Sequence, residues 1–251
     1  MSRFPWILAA IALISGLVAI ALILSPGPLY ASGALELMPA LSLLRDAAPV
    51  AAVVALGLGL AGIIAGVLGR APRSAAVAFI AALAGGGVWF VLDDFKSRAE
   101  ANPLHDITTN LNALPAFVAI APRRYGEGSA AARAAYPHPD WRATHEAIYP
   151  DLQTLVLPVD VGEAVNRAKE VAEDLGWSLQ ASEQSEDAAR FEAIDKTGWF
   201  GFTDNIVVEI TSRNEGFTAV DMRSVSQIGI GDVGKNAERI REFISRLQTT
   251  S

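Results

Sequence analysis

The sequence predicts an α+β protein in which three N-terminal transmembrane helices precede a two-layer sandwich of an antiparallel sheet and two helices. Three long, uncharged apolar segments lie near the amino terminus. The C-terminal part instead alternates short strand-like stretches of period two with two amphipathic helical stretches, joined by short connections. We therefore divide the chain into a transmembrane anchor over 1–95, an irregular approach segment over 96–151 and a compact domain over 152–251.

The apolar segments at 6–24, 47–69 and 74–92 contain no ionisable residue. Each is long enough to cross a bilayer as a helix, which takes about 20 residues. With no ionisable group inside the spans, the sequence indicates an anchor in a lipid bilayer and no ion path. The first segment also resembles a signal peptide, but its length exceeds the roughly 7–15 residues of an h-region and favours an uncleaved span.

The basic residues of the short loops predict the orientation of the anchor. Arg70 and Arg73 lie in the link between the second and third spans, and Arg3 lies before the first. Positively charged loops stay on the cytoplasmic side. We therefore expect a multi-pass protein of the inner (cytoplasmic) membrane with its domain on the periplasmic side.

Two features of the anchor leave alternatives open. Gly62 and Gly66 place small residues four positions apart, a spacing that lets membrane helices approach closely, either among the three spans or with a partner helix. Between the first two spans, Pro26 and Pro28 break the helix. The leucine-rich stretch 35–44 then predicts either a short interfacial helix or a loop packed on the spans.

Composition excludes several functions. The first 95 residues are electrically balanced, so the formal charge of −7 belongs to the rest of the chain, which has no basic cluster. Nucleic acid is therefore not an expected partner. Without cysteine there can be no disulfide, thiolate metal site or cysteine nucleophile. His138, Asp140, His145 and Glu146 fit no spaced metal motif, and we expect neither metal nor cofactor.

Five strands and two helices are predicted in the compact domain. The strands are 152–157, 177–183, 190–196, 206–213 and about 217–228, and the helices follow Asp160 and Gly234. Asp160 and Glu163 have the spacing of a capping box. Alternation places Phe191 and Ile206 toward the helices, while Glu192 points away from them.

Several separated motifs carry a family resemblance. They are NPLHDITT at 102–109, YPD at 149–151, the run RFEAIDKTGWFGFTDNIVVEI at 190–210 and VDMRSVSQIGIGDVGKNAERIREF at 220–243. In these motifs the chain resembles the bacterial and plastid family named domain of unknown function 1499, over about residues 100–248. The apolar N-terminal region is similar to that of membrane-anchored bacterial members. The resemblance supports the domain boundary and implies no activity.

A glycine-rich stretch at 229–236 matches G-x-G-x-x-G and nearly matches a phosphate-binding loop. Asn236 stands where the hydroxyl residue of such a loop would hold magnesium. The chain after it is too short for the parallel strand of a dinucleotide fold. We therefore predict a glycine turn in which Asp232 caps the last helix, and no nucleotide ligand.

The compact domain contains one dense set of polar residues, which includes Asp195, Asp221, Arg223, Ser224 and Asp232. Alternation puts Asp221 and Arg223 on one face of a strand, where pairing with Asp195 or Lys196 is expected, and Ser224 on the other. Because no histidine follows His145, a structural salt-bridge network is favoured over a hydrolytic site.

Trp199, Phe200 and Phe202 are spaced by glycines in a predicted hairpin loop. They either fold over the open end of the core or form an aromatic patch that contacts a partner or the bilayer interface.

These features predict a membrane-anchored extracytoplasmic interaction module, or accessory subunit, that binds another membrane protein through the aromatic loop. The alternative is a domain that holds a small molecule or lipid between its sheet and helices. A third hypothesis is a hydrolase that uses Asp221, Arg223 and Ser224. The absence of a nucleophile–base–orienter arrangement favours a protein that is not an enzyme.

Overall fold

The computed structural model describes residues 3–120, 140–214, 216–228 and 231–249. The chain forms two compact units. The first contains Met1–Ser97 together with the loop tip Trp199–Gly201, and the second contains Arg98–Gly198 and Phe202–Ser251.

Three N-terminal helices are long and apolar enough to cross a membrane. They are α1 (Phe4–Leu24), α4 (Ala48–Leu68) and α5 (Pro72–Ala101). The prediction of three apolar N-terminal helices is confirmed. Helix α5 continues beyond the predicted end at residue 92, because no proline or glycine interrupts the polar stretch that follows.

Short helices connect α1 to α4. They are α2 (Pro26–Ala31) and α3 (Leu37–Ser42), and one π-helical turn (Leu43–Ala47) joins α3 directly to α4. The leucine-rich stretch is thus helical, and it is continuous with the second span. Pro49 follows the π-helical turn and cannot donate a hydrogen bond to the preceding turn, which explains the local change of helical geometry.

The small residues of the spans are used for packing within the first unit. An added Cβ at Gly59, Gly62 or Gly66 would lie 2.6–2.7 Å from atoms of α5. Close approach of the two helix backbones therefore requires glycine at these positions. The sequence left open whether these glycines pack among the three spans or against a partner helix, and the structure shows packing among the spans.

The second unit is built on an antiparallel sheet of six strands. The strands are β1 (Asp106–Thr108), β2 (Leu155–Leu157), β3 (Ser178–Gln184), β4 (Ala188–Lys196), β5 (Thr203–Asn214) and β6 (Phe217–Ser226). Their order is β1-β6-β5-β4-β3, and β2 also pairs with β6. The helices are α6 (Trp141–Ile148), α7 (Val161–Asp174) and α8 (Lys235–Thr249). The predicted α+β class is confirmed.

Helices α7 and α8 pack on one face of the sheet. Phe191, Ile206 and Phe243 are completely buried there, and the ring of Trp177 stacks on that of Phe243 with centroids 5.3 Å apart. Asp160 begins α7 as predicted, since its carboxylate accepts a hydrogen bond from the Glu163 amide at 2.8 Å.

Two regular elements lie in the region for which the sequence predicted an irregular approach segment. Strand β1 pairs with β6, opposite Arg223–Val225, and α6 buries Trp141 and His145. A strand of three residues is too short to show a period of two in the sequence, and its pairing is fixed by β6.

Residues 111–120, which we call the strap, bond to the face of the sheet opposite α7 and α8. Glu192 points to that face, as predicted, yet it is 1% exposed. Its carboxylate accepts hydrogen bonds from the backbone amides of Val118, Ala119 and Ile120 at 2.6–3.2 Å. Glu209 accepts one more from Ala116 at 3.0 Å.

Candidate functional site

The tip of the predicted aromatic loop lies at the end of α1, within the first unit. The carbonyl of Leu24 would normally accept a hydrogen bond from residue 28, but Pro28 has no N–H. The indole Nε1 of Trp199 donates to this carbonyl at 3.3 Å. A Cβ on Gly27 would lie 2.7 Å from the same indole, so the position requires glycine.

Phe200 is more deeply placed than Trp199. Phe200 is 7% exposed, whereas Trp199 is 39% exposed. The ring centroids of Phe200 and Tyr30 are 5.9 Å apart. Phe202 is half-buried, and its amide donates to Thr197 Oγ1 at 2.9 Å. The aromatic residues thus pack partly against the chain itself, and part of Trp199 remains accessible.

The polar residues singled out in the sequence separate into two clusters on opposite faces of the sheet. In the first, Arg223 donates two hydrogen bonds to the carboxylate of Asp106 at 2.8 and 2.6 Å, and one to the carbonyl of Pro115 at 3.2 Å. The expected partners Asp195 and Lys196 are not the ones found. Strand β1 brings Asp106 next to Arg223 instead.

Asp221 lies on the same face of the sheet as Arg223, and its hydrogen-bond donors are uncharged side chains. Its carboxylate accepts hydrogen bonds from Thr109 Oγ1 at 3.0 Å, Asn110 Nδ2 at 2.9 Å and Thr154 Oγ1 at 2.6 Å. Thr109 and Asn110 come from the segment that the sequence predicted to be irregular, and Thr154 lies just before β2, within the strand predicted at 152–157.

The second cluster is centred on Arg239 of α8. Its guanidinium donates to Asp195 at 2.9 and 2.7 Å and to Asp204 at 2.7 Å. It also donates to Ser224 Oγ at 3.0 Å and to Asn236 Oδ1 at 2.6 Å. The side chains of Arg239 and Asp204 are 7% and 2% exposed.

Asn236 and Arg239 were not identified as site residues from the sequence. Both lie on the apolar side of α8, at helical spacing from Phe243, and this placement of polar residues among apolar ones was the signal available. Asn236 Nδ2 donates to Ser226 Oγ at 2.9 Å and to the carbonyl of His105 at 3.0 Å. The network therefore ties α8 to β6 and to the chain before β1.

The residues of the hydrolase hypothesis do not converge. Ser224 Oγ donates to Asn236 Oδ1 at 2.6 Å on the helix side of the sheet, whereas Asp221 and Arg223 lie on the strap side. Successive residues of a strand point to opposite faces, so these three side chains cannot share one cleft.

Asp232 caps α8, as the sequence predicted. Its carboxylate accepts hydrogen bonds from the Gly234 amide at 2.8 Å and the Asn236 amide at 2.5 Å. Burial raises the pKa of Asp232 to about 6, although both amide donors act in the opposite direction. The carboxylate thus occupies two backbone amides that could otherwise bind a phosphate. Gly229 and Ile230 lie outside the described residues.

His145 is buried between aromatic rings and is not placed as a metal ligand. Its Nε2 accepts a hydrogen bond from the Thr108 amide at 3.1 Å, and burial lowers its pKa. His138 lies outside the described residues. Within the part of the chain that the structure describes, no group of three potential ligand residues could hold a metal ion.

Each unit has an open groove among the residues that the structure describes. The membrane groove has a volume of about 550 Å³ and is lined by residues of α1, the π-helical turn and α4, including Ile14, Ser15, Val18, Val50, Ala51 and Val54. The polar groove has a volume of about 560 Å³ and lies in the second unit, where its lining includes Asn112, Arg142, Glu146, Tyr149, Gln153 and Arg213.

Comparison with known proteins gives a family and no activity. No curated protein matches the chain. The family described as "Protein of unknown function (DUF1499)" matches residues 106–247, which is more than half of the chain and extends from β1 into α8. Both polar clusters fall within this segment, and the chain therefore belongs to the DUF1499 family.

Proposed function

We propose that the protein is a membrane-anchored interaction module that binds another membrane protein, with a transmembrane helix of the partner in the membrane groove. The observation that supports this proposal is the lining of that groove. Ile14, Val18, Val50 and Val54 form apolar walls and are 45–64% exposed. Branching at Cβ restricts their rotamers, so the shape of the groove is largely preformed.

A helix fits this groove better than an isolated side chain does. Ser15, Ala47 and Ala51 are small lining residues, and small residues let a helix backbone approach closely in lipid. Asp46 also lines the groove and pairs with Arg45 at 2.9 Å, with both side chains more than half exposed. This pair offers polar contacts to the end of a bound helix.

We further propose that the DUF1499 domain lies on the periplasmic side of the inner membrane, as the charges of Arg70 and Arg73 favour. Trp199 is a second candidate contact for the partner, because it is partly exposed at the end of α1.

Photo-crosslinking in native membranes tests the proposal. A photoreactive amino acid placed at Val54 should form a protein adduct of defined mass. The same group at Val53, which is 53% exposed on α4 outside the groove lining, should react with lipid instead. Equal protein adducts at both positions, or lipid adducts alone at Val54, would refute the groove as the partner site.

The alternative of a ligand between the sheet and the helices has less support. Phe191, Phe243 and Ile240 are fully buried in that space and fill it. Native mass spectrometry of the gently extracted protein separates the two hypotheses. A stoichiometric protein partner supports the interaction module, and a retained small mass without a partner contradicts it.

A further inference from the structure

We infer that the polar groove binds a small anion that carries a carboxylate or phosphate group, held by the guanidinium of Arg213. This inference is independent of the proposed membrane partner. The groove volume of about 560 Å³ falls within the range of roughly 300–1,000 Å³ that is typical of small-molecule sites.

Arg213, near the end of β5, is the principal recognition group. It is exposed, lines the groove and has no hydrogen-bond or ion-pair partner among the residues that the structure describes. A guanidinium presents several N–H donors in one plane and binds carboxylate or phosphate oxygens in pairs. Among the described residues, Arg213 therefore has no internal ion pair that a ligand would have to displace.

A second guanidinium is held in place on the lining. Arg142 of α6 donates to the carbonyl of Leu111, and to Asn112 Oδ1 at 3.3 Å. Glu146, one turn later, lies 3.8 Å from Arg142. Anchoring by the strap orients Arg142, and orientation before binding reduces the entropy lost when a ligand is held.

The carboxylate of Asp221 does not compete for these cations. Asp221 is bonded by Thr109, Asn110 and Thr154, and each of these donors also contributes to the groove lining. Of the charged residues on the lining itself, two are arginines and one is a glutamate. The lining side chains themselves thus carry one net positive charge, in a part of the chain that is acidic as a whole.

The lining of the groove favours a small polar molecule as the ligand. Tyr149 and Leu152 are buried and give the groove an apolar wall. The amide of Gln153 donates to the carbonyl of Pro150 at 3.2 Å, which leaves its oxygen available as an acceptor. A ligand with an anionic end and one hydrogen-bond donor satisfies this arrangement.

Calorimetric titration of the full-length protein in a nonionic detergent tests the inference, with inorganic phosphate and succinate as separate probes. We expect saturable binding of at least one probe, weakened about tenfold or more by Arg213→Gln, because the variant loses the charged hydrogen bonds to the anion. Binding of phosphate alone identifies a phosphate site, and binding of succinate alone identifies a carboxylate site.

Arg246→Gln is the matched control. Arg246 is an exposed arginine on α8 that pairs with Glu242 and does not line the groove. Equal weakening by both variants would show diffuse charge attraction and overturn the inference. The same conclusion follows if neither probe binds at about 10 mM. Partner crosslinking at Val54 should be unchanged by Arg213→Gln, so failure of this inference is distinguishable from failure of the proposed partner site.

Discussion

Arg239 illustrates how single residues stabilise the domain. Its guanidinium is shared between two carboxylates, a hydroxyl and an amide, and water reaches little of it. Removing such a cation from water costs free energy, and this cost is offset only when all of its hydrogen-bond and ion-pair partners are present. Its role is to fix the position of α8 on the sheet rather than to react.

We predict that Arg239→Met destabilises the domain by about 3–5 kcal/mol, because Asp204 would remain as a buried, unpaired charge. Hydrogen exchange of β5 and α8 amides, followed by mass spectrometry, should become faster by about a hundredfold or more. Arg246→Met removes only an exposed pair and should cost about 1 kcal/mol or less. Similar exchange rates in the two variants would contradict this account of the network.

Asp232 makes the free energy of unfolding fall as the pH rises, which is the reverse of the usual effect of a carboxyl group. Its pKa in the folded protein is about 6, above the ordinary value of 3.8. Below pH 4 the group is protonated in both the folded and the unfolded states. Between pH 4 and 6 only the folded state holds the proton, so the stabilising contribution present at low pH is lost as the pH rises through 6.

We predict that wild-type protein loses on the order of 2 kcal/mol between pH 4 and 7 relative to Asp232→Asn, which retains an acceptor for the amides but does not titrate. The measurement is the difference between the two unfolding free energies across this pH range. His145 titrates in the opposite sense, since its lowered pKa costs stability on acidification, but it is common to both proteins and cancels. Parallel pH curves would rule out Asp232 as the titrating group.

At the scale of the elements, the strap is held in place mainly by hydrogen bonds to side chains. It lies along the sheet without joining the strand ladder, and its backbone amides bond to Glu192 and Glu209 instead. Phe117 adds a contact in which the Arg223 guanidinium lies 5.8 Å from the ring centroid. Loss of one carboxylate should therefore loosen the strap while leaving the sheet intact.

We predict that Glu192→Gln accelerates amide exchange in residues 118–120 by about tenfold to a hundredfold, because a neutral amide replaces a carboxylate that accepts several hydrogen bonds. Exchange in β4 and β5 should change much less. Glu209→Gln, which affects the single bond from Ala116, serves as the control. Unfolding of the whole domain by Glu192→Gln would show that the strap is part of the core.

The long elements were predictable because they contain a full periodic signal. Helices α7 and α8 and strands β4 to β6 lie within a few residues of their predicted positions. The Asp160 cap was predicted from the spacing to Glu163, and the Asp232 cap from its place in the glycine turn before the last helix. Strand β1 and the strap have no such signal. Their positions are fixed by Arg223, Glu192 and Glu209, which are distant in sequence.

At the scale of the whole molecule, the two units present different surfaces. The first unit exposes apolar side chains, as expected for helices in lipid. The second unit has a closed apolar core and carries most of the charge. Orientation in the membrane decides which compartment supplies the ligand of the polar groove and the soluble part of any partner.

Glu186 lies between β3 and β4. We predict that the thiol of Glu186→Cys reacts with a membrane-impermeant maleimide added to spheroplasts, in which the inner membrane is intact and the outer membrane no longer shields the periplasmic face. Arg73→Cys should react only after the inner membrane is permeabilised. Since the natural sequence has no cysteine, each variant carries a single reactive thiol. The reverse labelling pattern would place the domain in the cytoplasm.

The sequence by itself determined the apolar spans, the α+β class and the family resemblance, because these depend on local composition, periodicity and contiguous motifs. It also indicated that 229–236 is a turn rather than a nucleotide site. Only the tertiary structure decided which charges meet. Asp221 accepts a hydrogen bond from Thr109 and Arg223 pairs with Asp106, two residues that precede β2 in the chain, and Asp195 pairs with Arg239 of α8. Ion pairs and grooves form between residues far apart in the chain, and their geometry is set by strand register and helix packing, which no local pattern encodes.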